Sequence, residues 1–224
     1  MALHVRALFV QDQDGRLGRA NESGGVRAPR FFLGRTADGH RCWFGPGLTE
    51  AARTELESLV ANLPRSPIDE PIDPGPFREV LDREVQVSSV WAGPAYRFPT
   101  TSAPPSGESQ LIDPSQAGVL EPYLLEWSGD VEACAPFAVA MHDGAAVSLC
   151  ASVRRTDAAD EAGVETHPDF RGRGHAGRAV ARWASEVRRS GRHPLYSTSW
   201  DNTASISVAT KLGLIHFGSD LHMA

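Results

Sequence analysis

The chain has 224 residues, with 22 basic and 28 acidic side chains and a formal net charge of −6. This length can bury a sizeable core in one large domain or two small ones, and the negative charge argues against a nucleic-acid partner, which usually calls for a basic excess. Hydrophobic residues make up 41% of the chain, which excludes general disorder, and no apolar run approaches the ~18 residues of a membrane span, so we expect a cytoplasmic protein.

The first half of the chain predicts few regular elements. A hairpin is expected from Phe31–Leu33 and His40–Phe44, because Ala37-Asp38-Gly39 between them is a turn signal. Apolar residues at helical spacing predict a helix over Thr49–Leu63, with Thr49 as its cap. The other predictions are an irregular proline-rich segment over Pro64–Pro76, an extended segment over Glu84–Tyr96, an exposed loop over Pro99–Pro114 and a short helix over Gln116–Trp127.

The pattern is sharper after residue 135. The turn signal His142-Asp143-Gly144 separates two apolar runs, Phe137–Met141 and Ala145–Val153, and predicts a second hairpin. A long amphipathic helix is expected over Gly174–Arg189, with the arginines on its polar face. The remaining predictions are strands over Glu161–Thr166, Leu195–Ser199 and Leu214–Phe217 and a helix over Ser205–Leu212 that Gly213 ends.

Several common chemistries are excluded by residue type and spacing. Lys211 is the single lysine, and its neighbours do not form a phosphate-binding loop of the G-x-x-x-x-G-K-[ST] type. Three widely separated cysteines predict neither a disulfide framework nor a metal site, and we expect Cys134 and Cys150 to be buried structural thiols. No G-x-S-x-G or H-E-x-x-H motif occurs.

A glycine-rich segment, His167–Gly177, lies between a predicted strand and the long helix. Glycines allow a tight turn and let a ligand approach bare amides, and the helix adds free N–H groups and the positive end of its dipole. This arrangement, with Arg171 and Arg173 beside it, favours a pyrophosphate ligand. The glycines also satisfy the dinucleotide motif G-x-G-x-x-G, but the stretch Pro168–Arg171 intervenes between the strand and the glycines, and little chain follows Asp201 for a doubly wound sheet.

The segment resembles the cofactor loop of the GNAT superfamily of N-acetyltransferases, R/Q-x-x-G-x-G/A, in which Arg171, Gly174 and Ala176 match each defined place. Further on, Asp201–Ser205 and Lys211–Leu214 are similar to the N-x-x-A/S helix and the closing K-x-G-F of that family. The resemblance covers roughly residues 87–224. It therefore suggests a GNAT domain over residues 86–224 and an N-terminal extension or small α+β subdomain over residues 1–85.

The resemblance implies an α/β fold with a mixed, mostly antiparallel central sheet that is flanked by helices and splayed at the acetyl-CoA site. It implies acetyl-CoA as co-substrate and direct attack on the thioester by an amine of a small-molecule acceptor. The cofactor residues that it implies are Val164, Glu165 and Thr166 along pantetheine, Arg171, Gly172, Arg173, Gly174, His175, Ala176 and Gly177 around the pyrophosphate, and Asn202 and Ser205 near the acyl end.

The chain departs from the family pattern at the catalytic groups. Ala209 stands where many members carry a tyrosine general acid. The alignment favours Asp160 as the general base, with Glu161 as its neighbour; adjacent residues of a strand point to opposite faces, so only one of them can reach the site. A solvated carboxylate at a strand edge is the other interpretation of each. A non-catalytic module that senses acyl-CoA also stays open, as does a homodimer, and we expect no membrane partner.

Overall fold

The computed structural model describes residues 1–22, 24–65, 67–100 and 107–224. Part of the predicted loop over Pro99–Pro114, residues 101–106, lies outside the described residues. The α helices are α1 (Ala2–Leu8), α2 (Glu50–Ala61), α3 (Gly75–Asp82), α4 (His175–Arg189) and α5 (Thr203–Lys211). The strands are β1 (Phe9–Gln11), β2 (Leu17–Ala20), β3 (Phe31–Thr36), β4 (Gly39–Phe44), β5 (Val90–Arg97), β6 (Ser109–Ile112), β7 (Phe137–His142), β8 (Ala145–Arg155), β9 (Ala159–Thr166), β10 (His193–Ser197) and β11 (Ile215–Met223).

The chain divides into two units. The first unit comprises Met1–Tyr96, Ser197–Thr203 and His216–Ala224, and the second comprises Arg97–Tyr196 and Ala204–Ile215. Both units are discontinuous in sequence. The division of the chain at residues 85 and 86, which rested on the extent of the family resemblance, stays a prediction.

In the first unit, strands lie in the order β4-β3-β11-β5, and β3 pairs antiparallel with β4 and β11. Because successive side chains of a strand point to opposite faces, Phe31 and Leu33 pack with α2 and α3, whereas Phe32 packs with α1 and β1. The predicted hairpin is confirmed as β3 and β4. The predicted helix is confirmed as α2, in which the side chain of Thr49 accepts a hydrogen bond from the amide of Ala52.

In the second unit, strands lie in the order β10-β9-β8-β7-β6. The pairs are antiparallel except for β9 with β10, which is parallel. The predicted hairpin is confirmed as β7 and β8, and its turn has positive φ at both Asp143 (47°) and Gly144 (83°), as hairpin turns of two residues often require. The predicted class, a mixed and mostly antiparallel sheet with flanking helices, is confirmed.

Helix α4 and two 3₁₀ helices cover opposite faces of this sheet. Trp183 of α4 is fully buried and donates a hydrogen bond from Nε1 to the Oγ of Ser152 at 2.9 Å, so α4 lies on the face of β8 to which even-numbered residues point. Leu149 and Ala151 point to the other face, where they pack with residues around the 3₁₀ helices Pro114–Leu120 and Leu125–Trp127. We call these faces the α4 face and the 3₁₀ face.

Candidate active site

Strands β9 and β10 part within the second unit. Their parallel register covers three residue pairs, from Ala159 with His193 to Glu161 with Leu195. Beyond Glu161, β9 continues to Thr166 and stays paired with β8. The sheet order gives β9 no strand neighbour other than β8 and β10 among the described residues, so one edge of its second half is uncovered. This is the splay that the resemblance implies.

Backbone alternation decides which groups face the uncovered edge. The amide of His193 donates to the carbonyl of Ala158 at 2.9 Å, so the even-numbered residues of β9 direct their backbone groups toward β10. The odd-numbered residues direct theirs toward β8, since the hydroxyl of Ser148 donates to the carbonyl of Glu165 at 2.8 Å. The N–H and C=O groups of Ala162 and Val164 therefore face the opening. They can pair with an extended ligand as another strand would.

The glycine-rich loop leads from the end of β9 into α4. Gly172 and Gly174 have φ values of 76° and 80°, in the left-handed region that favours glycine, and Gly174 is the N-cap of α4. The first turn of α4 contains no acidic residue, so no side-chain carboxylate of that turn neutralises the positive end of the helix dipole. The orphan amides of this turn and the bare glycines form a cradle for an anion.

Two exposed arginines lie in this loop. The Nε of Arg171 donates to the carbonyl of Thr166 at 3.2 Å, which ties the loop to the last residue of β9. The guanidinium of Arg173 lies over the ring of Phe170, 5.4 Å from its centroid, and Phe170 is itself buried. Both guanidinium groups are thereby held near the cradle and add positive charge to it.

His175, the first residue of α4, is buried and uncharged at neutral pH. A guanidinium nitrogen of Arg178 donates to its Nδ1 at 2.6 Å, so Nδ1 is an acceptor and the ring proton is on Nε2. Burial lowers the pKa of His175, and the nearby Arg178, His142 and Arg173 lower it further. His175 is thus a buried neutral ring, while its backbone amide lies in the first turn of α4.

The predicted base Asp160 lies on the α4 face and is completely buried. One carboxylate oxygen accepts from the Nε of Arg192 at 2.6 Å, and the other accepts from the hydroxyl of Ser152 at 2.6 Å and from Arg192 at 3.1 Å. Glu161 is also buried but points to the 3₁₀ face, where Arg154 of β8 lies opposite it because an irregularity between Ser152 and Arg154 reverses the alternation of β8 at that point. The structure therefore does not bring the two predicted carboxylates to one point.

Glu165 lies further along β9 on the 3₁₀ face and is half-buried. The indole Nε1 of Trp127 donates to its Oε2 at 2.7 Å. Close by, the ring of Tyr123 packs against His167, with centroids 5.0 Å apart, and against Phe170 at 4.9 Å. The sequence predictions missed Tyr123 and Trp127; the available signal was two amphipathic aromatic residues four positions apart.

The last two predicted cofactor residues belong to different units. In the first unit, Asn202 is exposed and its amide donates to the carbonyl of Ser199 at 3.1 Å. In the second unit, Ser205 is half-buried on α5 and its carbonyl accepts from the hydroxyl of Tyr196 at 3.3 Å. Ala209, at the place of the family tyrosine, is completely buried.

The part of the chain that the structure describes offers neither a metal site nor a membrane span. No group of three or more histidine, cysteine, aspartate or glutamate side chains there could hold a metal ion. No helix of the described residues has the length and apolar character needed to cross a bilayer.

Comparisons with known proteins agree with this geometry. A family model described as GNAT acetyltransferase matches residues 137–218. A putative GNAT-family acetyltransferase from Novosphingobium aromaticivorans is similar in structure, with a TM-score of 0.54, 18% identity and 81% of each chain covered. A GCN5-related N-acetyltransferase-like protein from Streptococcus suis has a TM-score of 0.51 and 19% identity, with 88% of this chain and 85% of that chain covered.

No curated protein matches the chain. These two solved structures are below a fifth identical to it, so they support the fold, whereas the family model bears on the sequence of the site itself. The matched segment contains β9, the glycine-rich loop, α4 and α5. The resemblance is thereby confirmed for residues 137–218, which match the family model described as GNAT acetyltransferase.

Proposed function

We propose that the chain is an acetyltransferase that takes the acetyl group from acetyl-CoA and transfers it to an amine of a small-molecule acceptor. One observation carries this proposal: β9 and β10 part beside a glycine-rich loop that opens a helix. An uncovered strand edge suits the two amide groups of pantetheine, and an anion cradle at its end suits the pyrophosphate. The two features follow each other along the chain in the order in which these parts of CoA are joined.

The cofactor residues follow from this placement. The backbone groups of Ala162 and Val164 pair with pantetheine, while Glu165 contributes its backbone to the pair with β8 instead. The pyrophosphate lies on the amides from Gly172 to Gly177, with the guanidinium groups of Arg171 and Arg173 beside it. Asn202 and Ser205 remain proposed residues for the acyl end, on the family resemblance alone.

Direct attack by the amine requires that the nitrogen first loses a proton, because an amine with a pKa near ~10.4 is mostly charged at neutral pH. We assign that proton to the carboxylate of Glu161, which lies at the residue where the strands part. Asp160 stays a prediction that its geometry does not favour, since both of its oxygens already accept hydrogen bonds from Ser152 and Arg192. With Ala209 in place of a phenol, the thiolate leaves unprotonated or takes a proton from water.

The proposal is tested by cofactor binding and acetyl transfer. We expect acetyl-CoA and CoA to raise the melting temperature of the protein and Gly174→Glu to abolish that shift, because an acidic side chain would occupy and repel the phosphate position. Gly191→Glu is the matched control: Gly191 has a φ of 81°, follows the other end of α4 and has no atom within 4 Å of a built Cβ, so it introduces the same backbone strain away from the cradle.

A shift with NAD but not with CoA would refute the acetyltransferase proposal in favour of dinucleotide binding. A shift with acetyl-CoA, combined with no acetyl transfer to any of a broad panel of amines, would favour the acyl-CoA sensor, which the buried Ala209 permits. The proposed setting is the cytoplasm. A homodimer remains a proposal that gel filtration would test.

A further inference from the structure

Glu165 holds a half-buried carboxylate on the 3₁₀ face of β9. Its carboxylate accepts a hydrogen bond from the indole of Trp127 at 2.7 Å, and an indole is a neutral donor. The ion pairs of the described residues do not include Glu165. A carboxylate in partly desolvated surroundings without a cationic partner is unfavourable, and a bound cation would offset that cost.

Trp127 contacts this carboxylate, and a second aromatic ring packs on the imidazole two residues further along the strand. Trp127 ends the second 3₁₀ helix, Tyr123 lies in the turn before that helix, and the ring of Tyr123 packs on His167 at 5.0 Å. His167 continues the strand, since its amide donates to the carbonyl of Val147, and it therefore points to the same face as Glu165. We call Tyr123, Trp127, Glu165 and His167 the Glu165 cluster. A carboxylate beside aromatic rings is an arrangement that recognises an organic cation.

The cofactor itself is not that cation, because the phosphates of acetyl-CoA are anionic and a carboxylate would repel them. A cationic ligand at this strand has to be the acceptor. Glu161, the proposed base, and Glu165 point to the same face and are four residues apart, which corresponds to ~13 Å along an extended strand. The nitrogen that attacks the thioester must be neutral when it reacts. The charge that Glu165 meets is therefore on a second nitrogen.

We propose that Glu165, oriented by Trp127, binds a second, non-reacting ammonium group of the acceptor, so that the substrate class is an amine with at least two cationic nitrogens. This inference rests on the proposed function for its catalytic setting. Glu165 acts here through binding rather than proton transfer. Removal of its charge should therefore raise KM for a diamine and leave kcat close to its original value.

The test compares two substrates and two variants. Glu165→Gln keeps an oxygen that accepts from the indole of Trp127 and removes only the charge; Glu126→Gln is the matched control, at an exposed neighbour of Trp127. The substrates are 1,8-diaminooctane and 8-aminooctan-1-ol, which differ only in the second nitrogen. With acetyl-CoA and a thiol-release assay, we expect Glu165→Gln to lower kcat/KM for the diamine by about 10- to 100-fold, the usual range for a lost hydrogen bond to a charged group, and to spare the amino alcohol.

Equal losses for both substrates, or none for the diamine, would overturn the proposal, and so would an equal effect of Glu126→Gln. If the original protein acetylates neither substrate, calorimetric titration with 1,8-diaminooctane decides. Binding that Glu165→Gln loses would support the cation site even though the proposed function had failed, and absent or unchanged binding would overturn the site. The melting-temperature shift with acetyl-CoA tests the proposed function separately, because Glu165→Gln should leave it unchanged.

Discussion

Arg192 and Asp160 form a two-pronged ion pair at the position where β9 and β10 are still joined. The Nε of Arg192 donates to one oxygen of Asp160 at 2.6 Å and a terminal nitrogen donates to the other at 3.1 Å. The same carboxylate accepts from Ser152, whose Oγ in turn accepts from Trp183. One buried group thus connects α4, β8 and β9 with the segment that enters β10, directly before the strands part.

This network should stabilise the folded protein more than an exposed ion pair does. Arg192→Gln leaves the carboxylate of Asp160 buried without a cation, and we expect a loss of roughly 3–5 kcal/mol in the free energy of unfolding. Arg189→Gln is the control, because Arg189 forms an exposed pair with Glu186 and its loss should lower the free energy of unfolding far less. Urea unfolding measures both values. Equal losses in the two variants would show that the network adds no stability of its own.

The two adjacent carboxylates of β9, Asp160 and Glu161, should differ in function. If Glu161 is the base, Glu161→Gln lowers turnover by roughly 10²–10⁴-fold, the usual range for a positioned base. Asp160→Asn should chiefly lower stability, because Asp160 belongs to the buried network. The rate of the original enzyme should rise with pH and show no basic limb from a phenolic acid. Full turnover in Glu161→Gln would remove Glu161 from the mechanism.

His175 should make the protein less stable in mild acid. Burial and the adjacent Arg178 lower its pKa below the ordinary 6.5, so the unfolded chain takes up a proton before the folded one does. The contribution of His175 to the free energy of unfolding is therefore fully present above about pH 6.5, and it is lost as the pH falls through the lower pKa of the folded state. His175→Asn places an amide oxygen where Nδ1 accepts from Arg178 and cannot be protonated.

Unfolding by urea at pH 7.5 and 5.5 tests this expectation. The loss between the two pH values should be smaller in His175→Asn than in the original protein. The comparison uses the difference between variants because burial also lowers the pKa of His216, which contributes to the same slope in both. If the free energy of unfolding changes equally with pH in both proteins, the acid sensitivity comes from residues other than His175.

Thiol chemistry should play no part in acetyl transfer. Burial raises the pKa of Cys42 to about 11, raises that of Cys150 well above its ordinary value and raises that of Cys134 as well. Since the thiolate is the nucleophile, we expect slow alkylation by iodoacetamide at pH 8 and no loss of turnover in the native protein. Denaturation should expose all three thiols to the reagent. Inactivation with an acetylated cysteine in the mass spectrum would contradict direct transfer.

The sequence predicted the elements whose signals are local. Asp143 and Gly144 mark the hairpin turn in the sequence, because both positions need positive φ and these residue types tolerate it. The loop before α4 is recognisable in the same way, because backbone amides that are open to a ligand at a helix start favour glycine. The predicted helix over Gln116–Trp127 was wrong in kind: two short 3₁₀ helices flank Pro122, whose nitrogen has no hydrogen to donate. The start of α3 was hidden for a related reason, since proline near a helix start looks like an irregular segment.

Elements that depend on distant partners were less accessible. The last strand was predicted to end at Phe217 but continues to Met223, because Gly218, Ser219 and Asp220 are poor strand formers that pair with β3. In the candidate site, the segment with the cofactor loop was identifiable, whereas the engagement of Asp160 by Arg192 was not. That contact joins residues 32 positions apart, and only the fold brings them together.

The uncovered edge of β9 also matters for the protein without its ligand. Unpaired N–H and C=O groups along a strand can pair with another chain, which is a route to aggregation. A cofactor that pairs with Ala162 and Val164 would close this edge, so the free protein should be the more aggregation-prone form and the amides of those two residues its fast hydrogen-exchange sites. Bound acetyl-CoA would then protect the folded protein from aggregation at this strand edge.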